Sequence, residues 1–358
     1  MSFFQQWTFP AQGVKSLSWV GNALVDWVSG GHVYQLDGTL HEARINYAYR
    51  FDAAVVSPSG SFAVLYERNG TKGIVLTHDG RILREINRSF YCADAYDFPI
   101  TLFRLPTGQE VMAHCPDEYC RLEIDDLRTG ERLTRHSARE TVDIFYSRLA
   151  VDPQGKYLLS AGWVWHPFGV VTVHEIAEAL RNPSTLDGYG IAPSTAAEVS
   201  AATFGEDGTV VLGTSDETFA DDADDESDKR KDPLGYAGPD TIAVYDLAEQ
   251  SYRSLATAEE TVGTMMWISP RYVVGFYRYP KLLDVSTGRI LYRWPSLYTG
   301  NQQSSITWGS ADIPPLALDP AQRRFAVATE QEITVVHIDS SAIDQHDAGE
   351  HQAGERHP

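Results

Sequence analysis

A polar turn followed at once by an apolar run recurs along the chain, as SPSGSFAVLY at 57–66, DPQGKYLLSA at 152–161, GEDGTVVLGT at 205–214 and DPAQRRFAVAT at 319–329. Fainter copies start at Val20 (VGNALVDWVSG), Pro106 (PTGQEVMAHC) and Ser269 (SPRYVVGFY). With Gly21, Gly60, Gly108, Gly155, Gly208, Pro270 and Arg323 as the turn positions, the copies lie 39 to 62 residues apart, an average near 50. A period of that size belongs to arrays whose repeats bury their faces only against one another. A second hairpin keeps the same register in VYQLDGTLHEARI, GIVLTHDGRILREI, CRLEIDDLRTGERLT, IAVYDLAEQSYRSL and KLLDVSTGRILYRW. Asp-Gly and Thr-Gly make such turns because glycine accepts positive φ without a Cβ clash.

Each repeat therefore supplies four short strands, which is one propeller blade. The seventh is a strand short, offering PPLALD, RFAVAT and EITVVHI, while FFQQWTFP at the N-terminus is a strand to spare. The expectation is an all-β, seven-bladed β-propeller with four-stranded blades, the ring closed by the N-terminal strand in the last blade so that no sheet edge stays open. The 43% hydrophobic content, with 18 Tyr and 8 Trp, suits strands packed on both faces. One domain is expected over 1–339, with an acidic insertion at 215–240 and a disordered polar tail at 340–358. EIAEALRNP, from Glu175, reads as a short helix ended by Pro183 on the rim.

On the SPSG and DPQG turns and the LRTGERLT and DVSTGRIL hairpins, the chain resembles a WD40-like or YVTN-type seven-bladed propeller over roughly residues 3–339. No repeat has the Gly-His opening or Trp-Asp ending, so the resemblance is one of architecture. It implies a scaffold and binding module as the commonest role, with enzymes a minority; fold alone does not fix function.

The formal charge of −20 opposes nucleic-acid and anionic-membrane surfaces, which need clustered Lys and Arg, and favours a basic partner. The start MSFFQQWTFPAQG has no signal-peptide pattern and no stretch approaches a membrane span, so a soluble, cytoplasmic monomer is expected. Three cysteines, Cys92, Cys115 and Cys120, fit a reducing compartment.

In a four-stranded blade the a–b and c–d turns share one face, and the b–c loops and interblade connections share the other. The first set is tight here. Nearly all long segments fall on the second: 46–52, 87–99, 114–120, 162–169, 181–198, 215–240 and 295–315. Long loops in compact folds tend to be functional or disordered. This face is rich in aromatic residues, which dominate interface hot spots, and the binding candidates are Tyr47, Tyr49, Tyr91, Trp163, Trp165, His166, Phe168, Tyr277, Tyr279 and Trp308. Capping of blade ends is the competing explanation for any one ring. The run at 216–232 adds Asp221, Asp222, Asp224 and Asp225 as an electrostatic arm for a basic partner. It lacks the glycine of a calcium loop.

His114, Cys115 and Cys120 offer zinc-type ligands, but in one short motif of the wrong spacing, and no metal or cofactor is expected. His166 is a lone general-base candidate. No nucleophile elbow, phosphate loop or metalloprotease motif occurs. The expected function is a non-catalytic protein-binding scaffold using the aromatic, acidic face, in one version an inhibitor or immunity-type protein for a basic partner. The alternative is an enzyme or small-ligand binder with polar groups converging on the central channel; three or more titratable groups around one cavity would favour it.

Overall fold

The turn-and-run segments fold as the second strand of seven antiparallel sheets, which follow one another in chain order around a ring. The computed structural model of the protein describes residues 2–43, 45–136, 139–218, 234–307 and 313–343. Strand β1 (Phe4–Pro10) precedes blade 1, which comprises β2 (Ser18–Val20), β3 (Ala23–Asp26), β4 (His32–Tyr34) and β5 (Leu40–His41). Blade 2 holds β6 (Ala53–Val56), β7 (Phe62–Tyr66), β8 (Lys72–Thr77) and β9 (Ile82–Asn87). Blade 3 holds β10 (Ile100–Arg104), β11 (Glu110–His114) and β12 (Glu123–Asp126); blade 4 holds β13 (Leu149–Val151), β14 (Tyr157–Val164) and β15 (Phe168–Glu175). In blade 5 are β16 (Ala197–Phe204), β17 (Thr209–Thr218), β18 (Thr241–Asp246) and β19 (Ser251–Thr257). Blade 6 has β20 (Met265–Ser269), β21 (Tyr272–Gly275), β22 (Lys281–Asp284) and β23 (Ile290–Arg293). Blade 7 has β24 (Leu316–Asp319), β25 (Arg324–Ala328) and β26 (Glu332–Ile338), with β1 as its outermost strand.

That last pairing closes the ring as the sequence predicts. It runs antiparallel from Phe4 opposite Ile338 to Pro10 opposite Glu332. Phe4 packs edge-on against Trp294 and Phe3 against Tyr292, so the first strand also grips blade 6.

Blades stack face to face, which buries the middle strands on both sides. Phe62–Leu65 and Arg324–Ala328 are buried at every position, whereas the outermost β9 is largely exposed. Gly21, Gly60, Gly108, Gly155 and Gly208 all sit at positive φ in the a–b turns, and in blade 7 Arg323 takes the same left-handed conformation. Asp152 accepts the N–H groups of Lys156 and Tyr157 at 2.6 and 2.5 Å, fixing the turn into β14.

Two blades depart from four full strands. In blade 3 the fourth position is reduced to a bridge between Asp125 and Arg132. In blade 4, β15 leads into helix α1 (Ile176–Arg181) and a 3-10 turn (Pro183–Leu186), after which Gly190 bridges Val173 in parallel fashion and Ile191 exchanges backbone hydrogen bonds with Val173 at 2.8 and 2.9 Å. Ile176 N–H binds Lys156 O, in the a–b turn, at 2.8 Å. Residues 181–198 thus start from the tight-turn face and wrap the outer edge of blade 4, correcting their placement as a loop of the opposite face. β17 runs to Thr218, so the acidic stretch begins inside a strand. Residues 340–343 form a helical turn whose Ile343 is wholly buried in the core shared by blades 6 and 7; residues 344–358 lie outside the described ones.

The last residue of strand c is an aspartate in blades 3, 5 and 6, where it caps the c–d turn. Burial pushes the carboxyls of Asp126, Asp246 and Asp284 up, but hydrogen bonds more than offset this and hold each below its ordinary range. The donors are Gln109 and Thr129 for Asp126, Glu249, Arg253 and Ala248 for Asp246, and Ser286 and Arg271 for Asp284. A depressed folded pKa gives stability that is complete above the unfolded value, about pH 4, and is lost as pH falls through the folded value. The urea midpoint should therefore fall between pH 5 and pH 2.5, and Asp284→Asn should shrink that fall; a midpoint flat over this range would contradict the role of these caps.

Candidate functional site

The loop face carries an aromatic cluster over blades 3 and 4. The b–c turn of blade 4 is only three residues long, Trp165 to Pro167, so Trp163 and Trp165 lie at the end of one strand with opposite fates. Trp163 is fully buried, and its ring lies 3.7 Å from that of Phe145 at 8°. Phe145 and Trp163 also exchange backbone hydrogen bonds at 2.9 and 3.1 Å. Tyr119 stacks on Phe145 at 4.2 Å, giving a three-ring pile. Trp165, 43% exposed, stands perpendicular to Trp163 at 5.6 Å. Tyr91, also 43% exposed, completes the surface at 5.1 Å from Tyr119 and 6.2 Å from Trp165. Aromatic pairs in such offset or edge-on geometry contribute about 0.5–1.5 kcal/mol each beyond burial.

Tyr91 and Trp165 are each followed by a non-glycine residue at positive φ, Cys92 at 53° and His166 at 77°. Such residues carry local strain. His166 is exposed and makes no hydrogen bond or ion pair with a described residue. What it supplies here is a sharp turn that aims the ring before it.

Arg88 holds the Tyr91 loop in place. Its guanidinium donates to the carbonyls of Gly70, Asp97, Arg68, Ala93 and Tyr96 at 2.5–3.3 Å, and it lies 4.5 Å from the centre of the Tyr96 ring. Burial lowers its pKa, opposed by Tyr96 and Asp97.

A second feature crosses the ring. The connection from blade 6 to blade 7 is anchored by Arg278 and Gly300 on blade 6 and then reaches blades that are not its neighbours. Gln302 donates to Asp97 at 2.7 Å, Ser305 to Gly162 O at 3.1 Å, and Thr307 N–H to Ala95 O at 2.7 Å, while Asn69 donates to Thr307 at 2.8 Å. Ile306 pairs with Tyr96 and packs against the Phe145 and Trp163 cluster. This segment thus links the connection between blades 6 and 7 to the loops of blades 2, 3 and 4.

Beside it lies a cavity of about 380 Å³ lined by Glu198, Ser215, Asp216 and Glu217 of blade 5, Pro167 of blade 4 and residues of the crossing segment. Glu198 is held by Ser215 Oγ at 3.0 Å and Gly169 N–H at 3.2 Å, and burial raises its pKa. Three carboxylates thus share one cavity, with no lysine or arginine among its lining residues.

The other expected residues scatter. Phe168 is buried inside blade 4. Tyr47 donates to Gly80 O at 3.3 Å in the groove between blades 1 and 2, away from the aromatic cluster. Tyr49 is exposed and packs on Phe51. Tyr277 and Tyr279 are half-buried on blade 6, where Lys281 lies 4.8 Å from the Tyr279 ring centre. There, burial raises the Glu260 carboxyl, but Lys281, Arg293 and Tyr279 together bring it down to about 2. Trp308, Asp221, Asp222, Asp224 and Asp225 lie outside the described residues. His114 is buried and paired with Asp125 at 2.9 Å. Cys120 Sγ is 3.2 Å from Thr141 Oγ1, and burial pushes the Cys115 thiol well up. Among the described residues no group of three His, Cys, Asp or Glu side chains is arranged to hold a metal ion, and no helix is long and apolar enough to cross a membrane.

Phe145, Tyr119, Arg88 and Asp97 escape a reading of the sequence. Phe145 lies just before β13 and meets Trp163 only through the register of an isolated bridge. Arg88 carries a weak signal, as a basic residue that directly follows strand β9 and precedes an aromatic loop.

Arg88→Ala would leave five carbonyls short of a donor, at about 1–3 kcal/mol for each one that stays buried. A loss of at least about 3 kcal/mol in urea unfolding is expected, with little recovery in Arg88→Lys. Trp163→Ala should cost about 3–5 kcal/mol, whereas Trp165→Ala should cost under about 1 kcal/mol; equal costs would contradict the division between pile and surface.

No family model matches the chain, and no curated protein matches it. Among solved structures it is similar to a chain of the mitotic checkpoint complex, with 13% identity, TM-score 0.55, and 93% of this chain and 91% of the other covered. BamB from Moraxella catarrhalis gives 11% identity and TM-score 0.49, with 94% and 100% covered. At these identities the likeness concerns the fold. Sheet topology, ring order and structural likeness agree: the protein is a seven-bladed β-propeller, closed by its first strand.

Proposed function

We propose that the protein is a non-catalytic scaffold that binds a basic protein through its loop face. The observation that carries this reading is the pair of exposed rings, Tyr91 and Trp165, backed by a rigid aromatic pile on a chain of net charge −20. Rigid aromatic residues supply contact area at low entropic cost, and complementary charge raises the rate of encounter. The acidic stretch at 215–240 is the arm that steers the partner. An inhibitor or immunity-type role toward a basic toxin or nuclease is the concrete version, in a cytoplasmic, monomeric protein.

A second reading has one specific observation in its favour. The cavity over blade 5 meets the test of three titratable groups around one space, with the Glu198 carboxyl raised above its ordinary range by burial. It suits a small cationic or polyhydroxylated ligand. Its lining residues hold three carboxylates and no histidine, lysine or arginine.

Affinity capture from the native host, with wild type and a variant lacking residues 218–234, separates these readings. The scaffold predicts a stoichiometric basic partner whose association rate falls steeply with salt, and falls again on the deletion. A captured partner whose association rate ignores both salt and deletion would reject the electrostatic arm. Ligand-induced stabilisation that vanishes in Glu198→Gln, with no partner captured, would favour the cavity.

A further inference from the structure

We propose that the surface formed by Tyr91 and Trp165 is a seat for an arginine side chain of the partner, with Asp94, Glu118 and Asp143 as its acidic rim. This rests on the basic-partner reading and names the chemistry of the contact.

The rings come first. Tyr91 and Trp165 are each 43% exposed, Phe90 beside them is 86% exposed, and Tyr91 and Trp165 stand at 70° to one another with centroids 6.2 Å apart. Beneath them Tyr119, Phe145 and Trp163 are stacked. The surface is therefore formed before a partner arrives, which lowers the entropic cost of binding.

Charge then selects the occupant. Asp143 accepts from the Tyr119 hydroxyl at 2.7 Å, Glu118 adjoins Tyr119 in the chain, and Asp94 lies three residues after Tyr91; all three carboxylates are exposed. None of them forms an ion pair among the described residues. Four cations near the rings are engaged elsewhere: Arg121 with Glu123, Arg132 with Asp117 and Asp125, Arg139 with Asp187 and Glu123, and Arg88 with backbone carbonyls. An aromatic surface edged by uncompensated carboxylates repels phosphate, and an apolar partner would desolvate those charges without return. A guanidinium satisfies both features, stacking on a ring face while its N–H groups reach carboxylate oxygens. The compact, strongly hydrated ammonium of lysine does this less well.

The test is titration calorimetry of the full chain with three capped peptides that differ only at alternate positions, occupied by arginine, lysine or citrulline. The arginine peptide should bind saturably, the lysine peptide about threefold or more weakly, and the citrulline peptide not measurably. Trp165→Ala and Tyr91→Ala should each weaken the arginine peptide about 3- to 30-fold. Asp143→Asn removes a charge without removing a ring and should reduce both affinity and its salt dependence, which keeps the test informative if a ring variant unfolds. Arginine and lysine peptides of equal affinity would overturn the choice of arginine. Unchanged affinity in all three variants would overturn the seat while leaving a basic partner captured by another part of the face. Absence of salt-sensitive capture in the native host is a separate result and counts against the scaffold reading itself.

Discussion

Everything in this molecule depends on one seam, the antiparallel register of seven residue pairs between β1 and β26. A blade by itself is a small twisted sheet with two apolar faces, and it is stable only when both are covered. In an open array the first and last blades would each expose one face. Placing Phe4–Pro10 on the edge of blade 7 ties the two ends of the array together through the backbone. Phe3 and Phe4 add side chains that reach across to Tyr292 and Trp294. The seam therefore joins a backbone ladder to an interblade core.

The ring was legible because its grammar is local. Positive φ at Gly60, Gly155 and Gly208 is required by the turns, and the unbroken apolar runs after them follow from burial on both faces of each blade. Closure was legible by bookkeeping, one strand missing at one end and one spare at the other. The outer edge of blade 4 was not. There a helix and a 3-10 turn replace a strand, and the parallel bridge of Gly190 with Val173 depends on a crossover that no periodicity records.

The site was legible only in part, for a related reason. Trp163 and Trp165 are two residues apart on a strand end, yet one is fully buried and the other is 43% exposed. Alternation alone would put both on the same side; the turn at His166 and the arrival of Phe145 from another strand separate them. The contact between Phe145 and Trp163 spans an interstrand register, and that of Gln302 with Asp97 spans half the ring. Long-range contacts of this kind are set by assembly, after local preference has been spent. Arg88 belongs with them: its five carbonyl partners come from two loops whose shapes exist only in the finished fold.

The crossing segment bears on cooperativity. A repeat array whose units touch only their neighbours behaves as a one-dimensional chain, in which unfolding can begin at any weak junction and spread unit by unit. Gln302, Ser305 and Thr307 add couplings between the blade 6 to blade 7 connection and loops of blades 2 to 4. The ring acquires a chord, and its two arcs are no longer independent. Loosening a junction on one side must then strain contacts on the other, which merges local openings into a single all-or-none event and raises the sequence separation that folding has to bridge.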